Sequence, residues 1–440
     1  MKHKLYVFFL WILKYLINLA IFFDLPLIVA LLWISTLRRY NKINVKKKFV
    51  RVLILEKSFG IEDIYAAYEK KISNIKFYYF PRSNVRVVYE YFLGKYNIGE
   101  NNYNIKESTK VKKDKIKCQK FFERTLYYLD NIFKIKGFIS FNFRYHREIE
   151  FQKATVSQSL KFLTCHKESL LTKSDIISYK KILGKGIGEY QGSKVTVYNE
   201  LFKKLLVDHS VVKHENIKKI GMPRADKLFK IHKDELKEYY ILVLLIDIEK
   251  GFALTKETKG LAKEKNLINN WNKLSSDTIR SVINVAKKFP NEQFIFKSKI
   301  RNYSGSINQI NIINKILPKN CKIVTRGSGI ELIKCAKAVI GFNTTGILEA
   351  SILNKITIVP LLNLNMKKFK DNILKMDYKI HYYPKNNYQF QKILIKTINK
   401  EINRKKYKVK KNDLIDYYLG NIDGNSGKNL FRVINNLFLN

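Results

Sequence analysis

Acidic residues, cysteine and proline are all scarce in this 440-residue chain. It has 37 Asp and Glu against 83 Lys and Arg, with four cysteines and seven prolines. No two cysteines form a C-x-x-C pair and no histidines cluster near them, which argues against a zinc site and a disulfide framework. We therefore expect reduced thiols in a cytosolic compartment, at Cys118, Cys165, Cys321 and Cys335.

The shortage of acidic residues leaves a formal net charge of +46. An excess of this size points to an anionic partner, such as a phospholipid surface, a nucleic acid or a phosphorylated substrate. Compositional drift is the alternative, because Lys, Ile, Asn and Tyr are all abundant, as in proteins of AT-rich genomes. No segment resembles a nucleic-acid-binding module, so a nucleic-acid partner is not expected.

A long apolar run with basic flanks occupies the start of the chain. Residues 5–37 are almost entirely apolar and are broken at Pro26. The stretch 5–23 just reaches the ~20 residues that a membrane-spanning helix needs, whereas 25–37 is short for a second span. Basic residues are denser after the run, at 38–48, and this asymmetry predicts that the main body lies in the cytoplasm.

Two arrangements of this apolar run fit the pattern. One is a single span, and the other is a hairpin, bent at residues 24–26, that enters one leaflet with both ends in the cytoplasm. A cleaved signal peptide fits less well, because the run is too long and no small-residue cleavage site follows. Residues 5–37 are thus predicted to anchor the protein, with the basic run 38–51 against an anionic membrane surface.

The rest of the chain alternates apolar runs of strand length with helical patterns. Hydrophobic residues make up 46%, enough for packed interiors, and the length favours two domains over one. The strands of a first parallel sheet are predicted at 49–55, 76–80, 137–141 and 195–197. After a charged linker, those of a second sheet are predicted at 239–246, 293–296, 322–324, 338–341 and 356–360.

We therefore predict an α/β protein with four segments. They are a membrane anchor with its basic flank (1–45), a first Rossmann-like domain (46–232), a second Rossmann-like domain (233–390) and a helical, basic tail (391–440). Residues 94–117 are polar and are predicted to form a loop or insertion. Two doubly wound sheets of this kind bind ligands outside the carboxyl ends of their strands, in the cleft between the domains.

A polar turn in the second domain is the most informative motif. A strand is predicted to end at Gly341, and a helix follows it. The turn between them, which opens the helix, consists of Asn343, Thr344, Thr345 and Gly346, and Glu349 lies one helical turn further on. Backbone N–H groups at a helix start suit a diphosphate, and a glutamate there can accept hydrogen bonds from ribose or sugar hydroxyls. The simpler interpretation is that Thr345 caps the helix and that Glu349 is an acidic residue of the first turn, where the helix dipole stabilises a negative charge.

The run from Ala338 to Pro360, with its N-[ST]-[ST]-x-x-x-E-A core, resembles the nucleotide-sugar-binding segment of GT-B glycosyltransferases. The likeness is closest to bacterial surface carbohydrate and capsular polysaccharide transferases, with CDP-glycerol glycerophosphotransferases and UDP-N-acetylglucosamine 2-epimerase as relatives. It covers roughly residues 140–360. The resemblance implies two Rossmann-like domains facing a cleft, with a nucleotide-activated sugar bound by Asn343, Thr344, Thr345, Gly346 and Glu349.

Two more segments that would face the donor share this resemblance. Gly221, Pro223, Arg224 and Asp226 fit the G-x-P-R-x-D turn that ends the first domain in these families. Arg224 then either binds a donor phosphate through its guanidinium or pairs with Asp226 to fix the turn.

Related proteins often carry Lys-Pro-His at the end of the strand before the donor site, where this chain has Phe296-Lys-Ser-Lys299. No histidine is therefore available there, and Lys297 and Lys299 are expected to neutralise the diphosphate. No D-x-D pair is present, so no metal ligands are expected.

A first-domain segment, Phe162–Glu168, resembles the H-K-E segment that faces the cleft in the surface carbohydrate group. A transferase that inverts the sugar linkage needs a base to take the proton of the acceptor hydroxyl. The resemblance implies that Glu168 or His166 is that base, with Lys167 near the leaving phosphate. The alternative is a solvated surface turn.

The resemblance as a whole implies a glycosyltransferase at the cytoplasmic face of the bacterial inner membrane. It would move a sugar from a nucleotide-activated donor to a lipid-linked or growing glycan of capsule or lipopolysaccharide, with no cofactor beyond the donor. A polyol-phosphate transferase of the CDP-glycerol type is an alternative, although the His-Gly pair usual in that family is not found. A membrane scaffold without catalytic activity is the third possibility.

Overall fold

The structure, a computed structural model, describes residues 2–40, 42–55, 58–69, 71–100, 102–104, 107–183, 186, 188–246, 265–298, 309, 311, 313–315, 317–402 and 412–440. Two sheets form within this part of the chain, and all but one of their strand pairings are parallel. The predicted α/β class with two parallel sheets is therefore confirmed, and it is the architecture that the resemblance to GT-B proteins implies.

The first sheet has seven strands in the spatial order β1-β3-β2-β4-β5-β6-β7. Only β1 is antiparallel, against β3, so the carboxyl ends of the other six strands meet at one edge. The strands are β1 (Arg38–Arg39), β2 (Asn44–Leu55), β3 (Ile72–Phe80), β4 (Ile135–Ser140), β5 (Lys161–Cys165), β6 (Lys194–Val197) and β7 (Ile217–Lys219).

The second sheet has five parallel strands in the order β10-β9-β8-β11-β12. They are β8 (Tyr240–Leu244), β9 (Gln293–Lys297), β10 (Cys321–Val324), β11 (Ala336–Ile340) and β12 (Ile356–Ile358). The first strand in the chain, β8, is the central one. The next two, β9 and β10, are added on one side of it, and β11 and β12 are added on the other side. This order gives a topological switch point between β8 and β11, which is where doubly wound sheets bind ligands.

Helices surround both sheets. Up to the end of the first sheet they are α1 (Lys2–Phe22), α2 (Pro26–Ser35), α3 (Ser58–Tyr68), α4 (Arg82–Leu93), α5 (Thr109–Phe133), α6 (Ile149–Ser157), α7 (Lys173–Ile182) and α8 (Glu200–Asp208). After it they are α9 (Lys265–Lys288), α10 (Gly329–Lys334), α11 (Thr345–Ile352), α12 (Met366–Phe369), α13 (Asn387–Ile398), α14 (Asp413–Leu419) and α15 (Ser426–Phe438).

The prediction of a loop at 94–117 is wrong for its second half, because α5 begins at Thr109. Ser108 caps the helix by accepting a hydrogen bond from the N–H of Val111. Apolar positions such as Val111 and Phe122 are buried. The many lysines between them hide this apolar stripe from a reading of composition, although lysine itself is a good helix former.

The last helix returns to the first domain. α15 lies in the segment 391–440, predicted as a helical tail, and packs on α3. Its residues Leu430, Ile434 and Phe438 are buried in the core on one face of the first sheet. The end of the chain therefore completes the core of the domain that its first half builds.

The apolar run at the start of the chain forms a helical hairpin, α1 and α2, that turns at Asp24. One side is buried against the first domain through residues such as Ile17 and Trp33. Among the described residues, no helix combines the length and the apolar character needed to cross a membrane. Of the predicted anchor, residues 5–10 lie outside the part whose side chains are described.

Candidate active site at the ends of the strands

The polar turn of the second domain lies at the topological switch point of its sheet. β11 ends at Ile340, and α11 begins at Thr345. β8, the parallel neighbour of β11, directs its carboxyl end to the same place. The first N–H groups of a helix have no acceptors within the helix, and the amino end of the helix carries partial positive charge. This end of the sheet therefore suits an anionic ligand.

Thr344, not Thr345, is the N-cap of α11. Its hydroxyl oxygen accepts a hydrogen bond from the N–H of Gly346 at 3.4 Å, and its backbone is extended. The interpretation in which Thr345 caps the helix is thus wrong by one position. Thr345 is half-buried at the first turn, where its hydroxyl remains a candidate for contact with a phosphate.

Asn343 holds a neighbouring loop. Its φ of 46° lies in the left-handed region, which asparagine tolerates. Its side-chain amide donates to the carbonyl of Asn372 at 2.9 Å, and its Oδ1 accepts from the N–H of Leu374 at 3.1 Å. Because both ends of the amide are engaged, contact between this side chain and a donor would require these hydrogen bonds to be given up.

Gly346 lets the helix start approach the end of β8. A Cβ atom at this position would lie 2.5 Å from Cδ1 of Leu244, so a larger residue would force that side chain to move. The absence of a side chain thus brings the N–H groups of α11 close to the carboxyl end of β8. Such close approach is a common reason for glycine at a ligand-binding turn.

Glu349 is buried on α11 and faces charged groups of the first domain. Burial raises the pKa of its carboxyl group, and this is the largest effect. The positive charge of Arg224 lowers the pKa in part. Two weaker neighbours also act on it: Glu62 raises the pKa and Lys227 lowers it. All three neighbours precede the second sheet in the chain. The carboxyl group therefore lies where the part of the chain that forms the first sheet meets the part that forms the second.

Arg224 belongs to a network at the carboxyl edge of the first sheet. Its Nη1 donates to the hydroxyl of Tyr198 at 2.7 Å and to the Asp63 carboxylate at 3.2 and 3.3 Å. Tyr198 also donates to Asp63. The interpretation that pairs Arg224 with Asp226 is wrong, because the Asp226 carboxylate accepts hydrogen bonds from the first N–H groups of α15.

The guanidinium of Arg224 is a fixed cation beside Glu349. Burial opposes its charge, but Tyr198, Asp63 and Glu349 together raise its pKa above the ordinary value. The hydrogen bonds to Tyr198 and Asp63 come from Nη1, and a guanidinium carries further donors on Nε and Nη2 in a planar fork that matches phosphate. The arrangement can therefore hold a phosphate at the junction of the domains.

Lys297 ends β9 on the same side of the second sheet. Its ammonium donates to the carbonyls of Ser298 at 2.8 Å and Thr325 at 3.4 Å, and burial lowers its pKa. A lysine held by neutral carbonyls keeps its charge available to an incoming anion. The predicted partner Lys299 lies outside the described residues. Among those described, no group of His, Cys, Asp and Glu is arranged to hold a metal ion.

The two candidates for the base differ in exposure. His166 is buried after β5, with its ring 4.8 Å from the ring of Phe143 and 4.6 Å from that of Phe202, centroid to centroid. This position argues against His166 as the base, because proton transfer needs contact with the acceptor hydroxyl. Glu168, two residues further on, is exposed at the same edge of the sheet.

Arg144 is a buried cation near Glu168 that is not predicted from the sequence. Its Nη2 lies 2.7 Å from Oε2 of Glu100, and its Nη1 donates to the Tyr179 hydroxyl at 3.0 Å. Burial opposes its charge, but Tyr179, Glu100 and Glu168 raise its pKa. Its position just after the predicted strand 137–141 could have indicated this role, because ligand-binding residues of parallel sheets often follow the carboxyl ends of the strands.

The comparisons with known proteins give fold-level likenesses. No protein-family model matches the chain, and no curated protein matches it. Among solved structures, the UDP-GlcNAc 2-epimerase of Methanocaldococcus jannaschii is similar, with 14% identity, a TM-score of 0.47 and coverage of 88% of this chain and 99% of that one.

Two other solved structures are similar over the same extent. The UDP-GlcNAc 2-epimerase of Neisseria meningitidis bound to UDP-GlcNAc has 13% identity, a TM-score of 0.45 and coverage of 89% of this chain and 100% of that one. The UDP-forming α,α-trehalose-phosphate synthase of Burkholderia vietnamiensis has 8% identity, a TM-score of 0.43 and coverage of 88% and 99%. At these identities the activity has to be argued from the residues of this chain.

Proposed function

We propose that this protein is a glycosyltransferase that moves a sugar from a nucleotide-activated donor to a lipid-linked or growing glycan. One observation carries the proposal. The start of α11 lies at the switch point of the second sheet, and Glu349 on the same helix lies near Arg224 of the first domain. A helix amino end, a buried carboxylate and an arginine together match the diphosphate and hydroxyl groups of a sugar nucleotide.

Each residue then has a chemical role. The hydroxyl and N–H groups of Thr345 bind the diphosphate, joined by the N–H of Gly346 once its long hydrogen bond to Thr344 is given up. Glu349 accepts hydrogen bonds from ribose or sugar hydroxyls. Arg224 and Lys297 stabilise the negative charge that develops on the leaving nucleoside diphosphate. Such stabilisation by fixed cations is a large term in transfer reactions.

Glu168 supplies the base for an inverting transfer. The acceptor oxygen bonds to the anomeric carbon while the bond from that carbon to the diphosphate oxygen breaks, and the nucleotide leaves with the electron pair. The acceptor proton passes to the Glu168 carboxylate. Arg144 places a buried positive charge near that carboxylate.

The acceptor and the cellular role follow from the resemblance to surface carbohydrate transferases. We infer that the product belongs to a bacterial surface polysaccharide, capsule or lipopolysaccharide, and that synthesis occurs at the cytoplasmic face of the inner membrane. The net charge of +46 is consistent with phosphate-bearing donors and acceptors.

Thermal shift with a panel of UDP-, GDP-, CDP- and CMP-sugars tests the donor site. One donor class should raise the Tm by several degrees, because a ligand at a hundred times its Kd stabilises the fold by about 2.7 kcal/mol. Thr345→Ala and Glu349→Ala should abolish this rise while the free protein stays folded. Glu331→Ala, an exposed glutamate on α10, is the matched control and should respond like wild type.

The reaction itself is measured with the stabilising donor and lipid extracted from bacterial membranes. Transfer of the labelled sugar to lipid or glycan is expected. Conversion of the donor to an isomer without an acceptor would instead indicate an epimerase, and transfer of a polyol phosphate would indicate the CDP-glycerol type. If no nucleotide shifts the Tm, the protein is a scaffold and the proposal is wrong.

A further inference from the structure

The side of α1 that faces away from the domain is mostly apolar, with Lys14 and Asn18 as its polar residues. Trp11, Tyr15, Leu19 and Phe22 follow one another at positions i, i+4, i+8 and i+11, and all are exposed, by 42% to 69%. This spacing places them on one face of the helix. Leu13, Ile17 and Ile21, on the other face, are buried. The helix therefore has an apolar side toward the domain and a second, mostly apolar side toward the surroundings.

The second helix of the hairpin continues this surface. Leu27, Ile28 and Leu31 of α2 are each at least 40% exposed. Of the 22 large hydrophobic side chains that are exposed in the described part of the chain, ten lie between residues 11 and 31. Single exposed apolar residues are ordinary on a protein surface, but a contiguous patch of this kind marks a contact surface.

Cations lie beside the bend of the hairpin. Lys113, Lys117, Lys120 and Arg124 of α5 are spaced by four, three and four residues, so they share one face of the helix, and all are exposed. α5 packs against α2. Arg124 also binds the bend itself, with its Nη1 2.8 Å from Oδ2 of Asp24.

Three of these cations line a cavity of about 480 Å³ at the bend. Lys117, Lys120 and Arg124 face only two acids there, Asp24 and Glu123, and the aromatic rings of Phe92 and Phe121 complete the wall. An apolar surface next to a cavity with excess positive charge complements the acyl chains and phosphate headgroups of an anionic lipid.

We propose that the outer side of the α1–α2 hairpin, together with this basic cavity, docks on an anionic bilayer and lies in its plane without crossing it. A second copy of this basic chain would bring like charges together at the same cavity. A spanning α1 would have to pull Leu13, Ile17 and Ile21 away from the core in which they are buried. The inference does not depend on the sugar transfer proposed above.

Flotation of the full chain with lipid vesicles tests the surface. We expect binding to vesicles of equal parts phosphatidylcholine and phosphatidylglycerol, and much weaker binding to phosphatidylcholine alone. Phe22→Ser with Phe23→Ser should abolish binding, since both side chains are exposed by 60% or more and their loss leaves the fold intact.

Charge variants separate the basic cavity from the apolar face. Each basic residue near an anionic surface strengthens binding by about fivefold, so Lys117→Ala with Lys120→Ala should weaken binding to the anionic vesicles by roughly 25-fold. Lys287→Ala with Lys288→Ala, which removes two exposed lysines of α9, is the matched control and should change binding little. If both double variants lost the same amount of vesicle binding, the role of the cavity would be overturned.

Fluorescence quenching of Trp11 distinguishes docking from spanning. Trp33 and Trp271 are buried in the protein, whereas Trp11 is 65% exposed near the middle of α1. With phosphatidylcholines brominated at shallow or deep acyl positions, docking in the plane predicts stronger quenching by the shallow label. Stronger quenching by the deep label would indicate a span. A lipid-independent dimer, or no vesicle binding, would also overturn the proposal.

Discussion

Glu349 is a carboxyl group whose charge depends on an arginine of the other domain. Burial alone favours its neutral form, and Arg224 acts against burial. Burial has the larger effect, so the pKa of the carboxyl group is raised overall. The ionised form, which accepts hydrogen bonds from a sugar or ribose hydroxyl, is therefore less favoured than in an exposed glutamate.

Nucleotide binding should consequently weaken on mild acidification. The raised pKa means that Glu349 takes up a proton at a higher pH than an ordinary glutamate, and a ligand that prefers the carboxylate loses affinity as that proton is taken up. The nucleotide-induced rise in Tm of the wild type should therefore fall as the pH is lowered from neutral, starting at a higher pH than an ordinary glutamate would require. Glu349→Gln should give a small rise that does not change with pH, whereas Glu331→Gln should behave like wild type.

A flat wild-type profile would contradict this prediction, and an equal decline in Glu349→Gln would assign the pH dependence to another group.

The residue types at the site could be predicted, but their partners could not. Local sequence places Thr344, Gly346 and Glu349 at a strand–turn–helix junction, and the structure has that junction within one residue. The local sequence does not show that Asn343 donates a hydrogen bond to the backbone carbonyl of Asn372, because that contact depends on how a distant loop packs.

At the scale of elements, α15 shows how a distant residue fixes a helix. The Asp226 carboxylate accepts hydrogen bonds from the N–H groups of Ser426 at 3.1 Å and Gly427 at 2.7 Å. These are orphan donors of the first turn of α15, and a negative charge also favours the amino end of a helix. The turn at the end of the first domain is thereby joined to the last helix of the chain.

Asp226→Asn should destabilise the protein by about 1–2 kcal/mol, the range found for lost helix caps. An asparagine offers one acceptor oxygen for the two N–H groups, and its own amide would face the second one. Urea unfolding measures the change. Asp423→Asn is the control, because that carboxylate caps only an exposed turn, through the N–H of Asn425 at 2.8 Å. Equal losses in both variants would contradict the specific role of Asp226.

Strands were easier to predict than the helices that cover them. The runs 49–55, 293–296 and 322–324 are mostly apolar, and each lies within an observed strand. β7 is only three residues long, too short for a periodic signal. The docking of α15 on the first domain depends on contacts between residues hundreds of positions apart, which no local pattern records.

At the scale of the whole molecule, the charge imbalance is an energetic term of its own. With 83 basic residues and 37 acidic ones, at least 46 cations have no acidic counterpart anywhere in the chain. Pairs such as Arg144 with Glu100 offset repulsion locally. The remainder repel one another in the folded state, and unfolding relieves this repulsion by moving the charges apart.

Added salt should therefore raise the Tm. Salt has two opposing effects on stability. It weakens attractive ion pairs, which at exposed positions each contribute about 0–1 kcal/mol. It also weakens the repulsion among the excess cations, which stabilises the folded state. The excess of 46 cations makes the second effect larger. Raising sodium chloride from about 0.05 M to about 0.5 M shortens the screening length from above 10 Å to a few ångströms, and the Tm should rise across that range. Lys287→Glu with Lys288→Glu lowers the net charge by four and should reduce the slope, whereas a Tm that falls with salt would mean that attraction between ion pairs outweighs the repulsion.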